Sequence, residues 1–246
     1  MIQPLSLIND VSVQRLIVAD QKLFAVSLDG RLMAFGNRPA TNEIDRSPTS
    51  NELAFSPESS EVAKTLLATG EAEGYAIWHG SWQSPGLKAL AANSPFTQLA
   101  IVSQDAADVD RMRRELDKAS IYGRVTAHLS RANAFKAPQY VANMLFVDLD
   151  SLGPTFEINQ LSNLYQSVRP YGGVMCVLTQ SDHAQLSKQI SDVGLEQATI
   201  EQAPFGVVVK REGSLPGSAS WTHQYGSIAN TLKSDDRRVK LPLASI

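Results

Sequence analysis

Between residues 74 and 211 the chain alternates short apolar runs with longer amphipathic segments, and this alternation constrains the fold more than any other feature. The runs at 74–78, 98–102, 124–128, 144–149 and 173–178 are of strand length and dominated by aliphatic and aromatic residues. Between them lie segments of helical period. Residues 107–119 place Val109, Met112 and Leu116 on one stripe, with Asp108, Arg111, Arg113, Arg114, Glu115 and Asp117 on the other face. Residues 156–168 repeat the pattern with Ile158, Leu161, Leu164, Tyr165 and Val168, and stop before Arg169-Pro170 because the residue preceding proline disfavours helix. Residues 183–193 predict a third helix, closed by Gly194, and residues 59–69 predict one that precedes the first strand and ends at Gly70. Strands separated by helices imply right-handed crossovers, a mostly parallel sheet and helices on both faces. Residues 198–203 and 205–211 are two β-rich runs parted only by Pro204, so they predict an antiparallel pair at the edge. The predicted class is α/β, a Rossmann-like doubly wound sheet.

The ends read differently. Residues 16–19, 23–28 and 32–35 are strand-like and are joined by Asp20-Gln21 and Asp29-Gly30, a hairpin or small meander. Such a unit is marginal alone, so it needs a sheet or another surface to cover it. Residues 37–57 are rich in Asn, Pro, Ser and Thr and read as a linker, and residues 213–217 return to Gly, Pro and Ser. The tail from 220 has no helical period, and Trp221 and Tyr225 stand out as its apolar anchors. The expected organisation is a β-hairpin segment at 1–36, a linker at 37–57, the α/β domain at 58–212 and a tail at 213–246.

Composition excludes several functions. With 43% hydrophobic and 19% charged residues the chain can bury a core. A net charge of -3 and no basic window interleaved with aromatics argue against nucleic acid, and Arg237, Arg238 and Lys240 are offset by Asp235 and Asp236. The four histidines do not stand at metal-ligand spacing and the one cysteine, Cys176, sits in an apolar run, so neither a metal site nor a disulfide is expected and a quiet core thiol is. Pro4, Asn9, Asp10 and Gln14 interrupt the first residues, leaving no signal-peptide core or membrane span, so the chain reads as soluble, which leaves open a longer, exported parent. There is no Gly-x-Ser-x-Gly elbow and no P-loop.

The order of elements resembles the class I S-adenosylmethionine-dependent methyltransferases. Ala100-Ile101-Val102 followed by the helix from Ala107 is similar to that family's second strand and helix, and Val168-Arg169-Pro170-Tyr171-Gly172-Gly173 to its turn before the fifth strand. The resemblance implies S-adenosylmethionine as cofactor, held by a glycine-rich turn after the first strand. That turn here is Trp78-His79-Gly80-Ser81-Trp82-Gln83, with one glycine between two indoles. The acid that the family places after its second strand to accept the ribose hydroxyls aligns with Ser103, followed by Gln104 and Asp105, and the family's Gly-Asp after the third strand aligns with Ser130-Arg131. A second resemblance, to quinoprotein-like (PQQ-like) β-propeller repeats, rests on residues 17–35 and on Trp221-Thr-His-Gln-Tyr-Gly226 with Asn230-Thr231. It implies a propeller in cis or in trans as partner, although a propeller closes with no fewer than about 4 blades.

The resemblance places cofactor contacts at His79, Gly80, Ser81, Ser103, Asp105, Ser130 and Asp148. Each has a plainer reading. His79 is a ligand contact or an exposed loop histidine; His128 is structural and His183 exposed, and His223 packs under Trp221. Asp148 and Asp150 face a substrate or merely start a turn, the turn being favoured. Trp78 and Trp82 stack on a ligand or fill the space one would occupy, and filling is favoured. Three functions follow in order: a non-catalytic interaction or structural module attached to a propeller; an active methyltransferase in which Gly80 forms the cofactor turn and Asp105 replaces the ribose acid; and a fragment of a quinoprotein-like oxidoreductase.

Overall fold

The computed structural model describes residues 13–28, 32–36, 52–224, 226, 228–229 and 233–238. Contacts divide the chain into two units, Met1–Ser47 and Pro48–Ile246.

The first unit is an antiparallel meander of β1 (Val13–Ala19), β2 (Lys22–Ser27) and β3 (Leu32–Phe35). Its first turn is tight because Asp20 and Gln21 both take positive φ, 47° and 56°, the backbone that matches the twist of a two-residue hairpin. The Asp29-Gly30 turn lies outside the described residues. The sheet buries Ala25 and Ser27, while Leu16, Ile17 and Val18 of β1 stay exposed.

The second unit is the doubly wound sheet that the alternation predicts. Its elements in chain order are α1 (Pro57–Leu67), β4 (Tyr75–His79), α2 (Leu87–Asn93), β5 (Gln98–Ser103), α3 (Ala106–Lys118), β6 (Val125–Leu129), β7 (Met144–Asp148), the single turn α4 (Leu149–Leu152), α5 (Leu161–Tyr165), β8 (Val174–Leu178), α6 (His183–Val193), β9 (Ala198–Ala203) and β10 (Gly206–Arg211). The strands lie in the order β6-β5-β4-β7-β8-β10-β9. From β6 to β8 all neighbours are parallel, and β10 pairs antiparallel with both β8 and β9. The chain winds outward from β4 to β6, then crosses back to β7 on the other side of β4.

Successive residues of a strand point to opposite faces, and the two cores sort accordingly. Trp78, Leu99, Ile101, Met144, Phe146 and Cys176 pack against Leu66 of α1, Leu90 of α2 and Met112 and Leu116 of α3. Ile77, Val102, Leu145, Val147, Met175 and Val177 face the other way, onto Leu161 and Tyr165 of α5 and Leu186 and Ile190 of α6. Trp78 stacks on Phe146 with ring centroids 5.1 Å apart. Burial pushes the Cys176 thiol up to about 12, so it is the inert core group the sequence predicts.

Two expectations need correction. Residues 156–168 do not form one helix. Glu157 and Gln160 cap each other in a 3-10 turn over Ile158–Gln160, and α5 spans only Leu161–Tyr165. The tail is not anchored by Trp221, which is 59% exposed, and Tyr225, Asn230 and Thr231 lie outside the described residues. Polar contacts hold it instead: Arg238 donates to the Tyr140 hydroxyl and to the Pro216 carbonyl, with its guanidinium 5.5 Å from the Tyr140 ring centre.

The antiparallel return depends on Gly206. Its φ is +144°, and a Cβ there would lie 2.1 Å from the Val177 carbonyl oxygen of β8. Gly206→Ala is expected to cost at least about 2 kcal/mol of unfolding free energy, measured by urea denaturation; a smaller loss would mean that β8 and β10 are not in this register.

Candidate functional site

In an open α/β sheet, ligands bind beyond the carboxyl ends of the strands where the winding direction reverses. Here that point lies between β4 and β7, and a cleft of about 590 Å³ opens there. Ser81 and Ser84 line it from the loop after β4, Asp148 and Ser151 from the end of β7, and Thr179 from the end of β8. Glu61, Val62 and Thr65 of α1 form the facing wall. Gln83, Asp150 and Gln180 add polar groups to the lining, and Pro85, Leu178, Pro204 and Phe205 its apolar surface. Val62 also lines a neighbouring cleft of about 390 Å³ with Phe55, Trp82 and Lys88.

The loop after β4 is pinned by a network centred on Trp82. This residue is fully buried. Its backbone N–H donates to Asp108 Oδ2 at 2.7 Å and its indole Nε1–H to Glu115 Oε2 at 2.7 Å. Lys88 closes the arrangement, 3.2 Å from Glu115 and 5.2 Å from the Trp82 ring centre. The helical pattern places Asp108 on the solvent face of α3, yet it is 3% exposed. In the first turn of a helix a carboxylate faces free N–H groups and a favourable dipole, and Asp108 turns inward to take the loop amide and the Arg111 guanidinium.

The predicted site residues part company. Ser81 and Asp148 line the cleft. Asp148 is 5% exposed and accepts the Ser84 hydroxyl at 2.5 Å through Oδ2. The Ser81 N–H donates to Ser151 Oγ, which in turn donates to the Asp148 carbonyl. Asp150 accepts Thr179 Oγ1 and the Gln180 N–H at 2.9 and 2.8 Å, tying the β8 loop to β7; its role as a turn-former extends to a long-range clamp. Gly80 lies beneath the cleft floor, where a Cβ would meet Ser84 Oγ at 2.8 Å, Trp78 Nε1 at 2.9 Å and Asp148 Cβ at 3.0 Å. Glycine there answers to packing.

The others lie elsewhere. His79 is neither a partly exposed loop histidine nor a lining residue: it is 2% exposed, its Nδ1 lacks a partner among the described residues, and its ring meets Phe135 edge-on with centroids 5.8 Å apart. Burial holds it neutral, with a pKa lowered to about 3. Phe135 also lies 5.5 Å from the ring of His128, so one phenyl spans the ends of β4 and β6. Ser103 is buried and its hydroxyl accepts the Asp105 N–H, while Ser130 donates its N–H to the Ser103 carbonyl. Asp105 caps α3, accepting the N–H groups of Ala107 and Asp108 at 2.8 and 3.3 Å. Beyond β5 and β6 lies a hollow of about 70 Å³, lined by Gln104 and Arg131 among others. His183, expected exposed, is half-buried with Nε2 3.2 Å from the Thr179 carbonyl, and His223 pairs with the Thr222 hydroxyl rather than packing under Trp221. Among the described residues no cluster of His, Cys, Asp or Glu could hold a metal ion, and no helix is long and apolar enough to cross a membrane.

Sequence reasoning misses Ser84, Thr179 and the α1 wall. Ser84 precedes Pro85-Gly86, which reads as a turn, and Glu61 and Thr65 occupy the polar face that a helical wheel assigns to solvent.

Two measurements test this geometry. Below pH 6.5 the unfolded chain binds a proton at His79 that the folded chain refuses until about pH 3, so stability falls on acidification through that window. His79→Leu is expected to remove up to about 1 kcal/mol per pH unit of that loss, read from urea unfolding at pH 7 and pH 5; identical slopes would place the imidazole in water. Asp105→Ala is expected to lower stability by about 1 kcal/mol by uncapping α3, and no loss would release Asp105 from this role.

Comparison with protein families and with curated proteins gives no match. Solved structures do match. A protein of Methanococcus maripaludis described as an S-adenosyl-L-methionine-dependent methyltransferase superimposes with a TM-score of 0.55 and 12% identity, covering 74% of this chain and 100% of that one. A SAM-dependent methyltransferase of Aquifex aeolicus gives 0.49 and 11%, over 68% and 98%. The geranyl diphosphate C-methyltransferase of Streptomyces coelicolor A3(2), solved with Mg2+, geranyl diphosphate and S-adenosyl-L-homocysteine, gives 0.47 and 12%, over 58% and 61%. With the strand order β6-β5-β4-β7-β8-β10-β9 and its antiparallel edge pair, the domain has the class I methyltransferase fold.

Proposed function

We propose that the domain is a non-catalytic interaction module built on the methyltransferase fold, carried in a protein with propeller-type repeats. One observation carries this reading: beyond β5 and β6 the positions a cofactor would need are taken by the protein's own groups, Phe135 lying between His79 and His128 and Asp105 capping its own helix, while Trp82 draws the β4 loop onto α3. A cofactor of nucleoside size needs a cleft of roughly 300 Å³ or more, and the hollow beyond β5 and β6 is about 70 Å³. The residues do not fit S-adenosylmethionine there. Ser103 offers no carboxylate to the ribose, Asp105 is engaged as a helix cap, and the turn with Gly80 is held down through Trp82. The meander at residues 13–36 is read as a strand set for a propeller in cis or in trans, supported by the exposed Leu16, Ile17 and Val18.

The second reading, an active methyltransferase, is favoured by the cleft under α1 at the β4–β7 switch point. Calorimetric titration of S-adenosylmethionine and S-adenosylhomocysteine into the full chain separates the two. No heat at millimolar ligand is expected. Micromolar binding, about -8 kcal/mol, lost in Gly80→Trp, would overturn the non-catalytic reading.

A further inference from the structure

Asp148 is a carboxylate whose electrostatics are incomplete. It is 5% exposed at the end of β7, and among the described residues no Lys, Arg or His lies within salt-bridge distance of it. Its Oδ2 accepts one hydrogen bond, from Ser84, and Oδ1 has no donor among the described residues. An ionised carboxylate offers about four acceptor sites. Buried charge is costly unless paired and hydrogen-bonded. Oδ1 is reached from the cleft, because Asp148 lines it and the other side of the residue is packed in β7 against β4 and β8.

The cleft's composition says what partner fits Oδ1. Among the described residues no Lys, Arg or His lines it, whereas Glu61 and Asp150 add to its acidity. Those two carboxylates are already engaged, Glu61 with Lys64 at 2.7 Å and Asp150 with Thr179 and Gln180. Asp148 alone is buried and open on one side. Beyond it Val62, Pro85, Leu178, Pro204 and Phe205 give the cleft its apolar surface among hydroxyl and amide side chains, and its volume of about 590 Å³ is far more than a metal ion or a bare ammonium fills.

We infer that this cleft is a binding site for a small organic cation, a primary amine on a flat apolar body, whose ammonium pairs with Asp148 Oδ1 while its ring lies against Phe205 and Pro204. The two halves of the site reinforce each other. Removing the ring from water drives entry, and a carboxylate only 5% exposed gives a charge-assisted hydrogen bond more strength than a surface acid could. An anion of the same shape is refused by Asp148, Glu61 and Asp150 together.

The test uses three probes that share an indole and differ in charge: tryptamine, the neutral tryptophol, and indole-3-propionate, each titrated into the full chain and followed by calorimetry. Tryptamine is expected to bind about tenfold or more tightly than tryptophol, and indole-3-propionate not at all. Asp148→Asn is expected to bring tryptamine down to the tryptophol level. Because that variant also alters the Ser84 hydrogen bond, Thr65→Trp provides a second arm: Thr65 is exposed on α1 and lines the cleft, so an indole there should block tryptamine without shifting the melting temperature. Equal binding of tryptamine and tryptophol, preference for the acid, no binding of tryptamine at millimolar concentration, or unchanged binding in Thr65→Trp would each overturn the inference. The site does not depend on the non-catalytic reading. S-adenosylmethionine binding would sink that reading while leaving an Asp148-dependent amine preference intact.

Discussion

The geometry of the strand ends depends on how the loop after β4 is held. In a doubly wound sheet the first such loop decides what can approach the sheet, and here Trp82 anchors it at both of its donors, the amide on Asp108 and the indole on Glu115. The burial of a large indole supplies the driving force, and the two carboxylates of α3 fix its direction. Lys88 neutralises Glu115 from the start of α2, so helix, loop and helix are joined through one aromatic ring. With the loop drawn onto α3, a cleft of about 590 Å³ opens on the β7 side.

That displacement links the fold to the proposed function. On the β5–β6 side Phe135 lies between His79 and His128, and Asp105 is engaged with its own helix. On the β7 side Asp148, Ser84 and Ser151 form a polar floor beneath α1. The same topology that serves cofactor binding in related folds thus opens a cleft at the switch point, with Asp148 at its floor and Val62, Pro85, Leu178 and Phe205 among its walls.

The sheet was legible because strand and helix periods differ so clearly. Val109, Met112 and Leu116 mark a buried stripe, and the run from Met144 to Asp148 is apolar enough to be covered on both faces. Favouring Trp78 and Trp82 as filling side chains also agrees with their full burial. What periodicity cannot show is a polar side chain turned inward. Asp108 reads as surface by its helical position, and only the Trp82 amide, distant by 26 residues, explains its burial. The same holds for Asp150, whose partners Thr179 and Gln180 arrive from another strand. The segment at 156–168 failed for a local reason: Glu157 and Gln160 satisfy the first turn between themselves and hold it as a 3-10 turn.

The Trp82 anchor keeps the β4 loop closed in the folded protein. Hydrogen exchange at the Trp82 indole N–H, followed by NMR, reports on that closure. A group bonded to Glu115 inside a closed loop should exchange only through global unfolding, with the same dependence on denaturant as the core amides of β4 and β7. Exchange much faster than those amides and insensitive to denaturant would show that the loop opens on its own, and the β5–β6 side could then admit a cofactor after all.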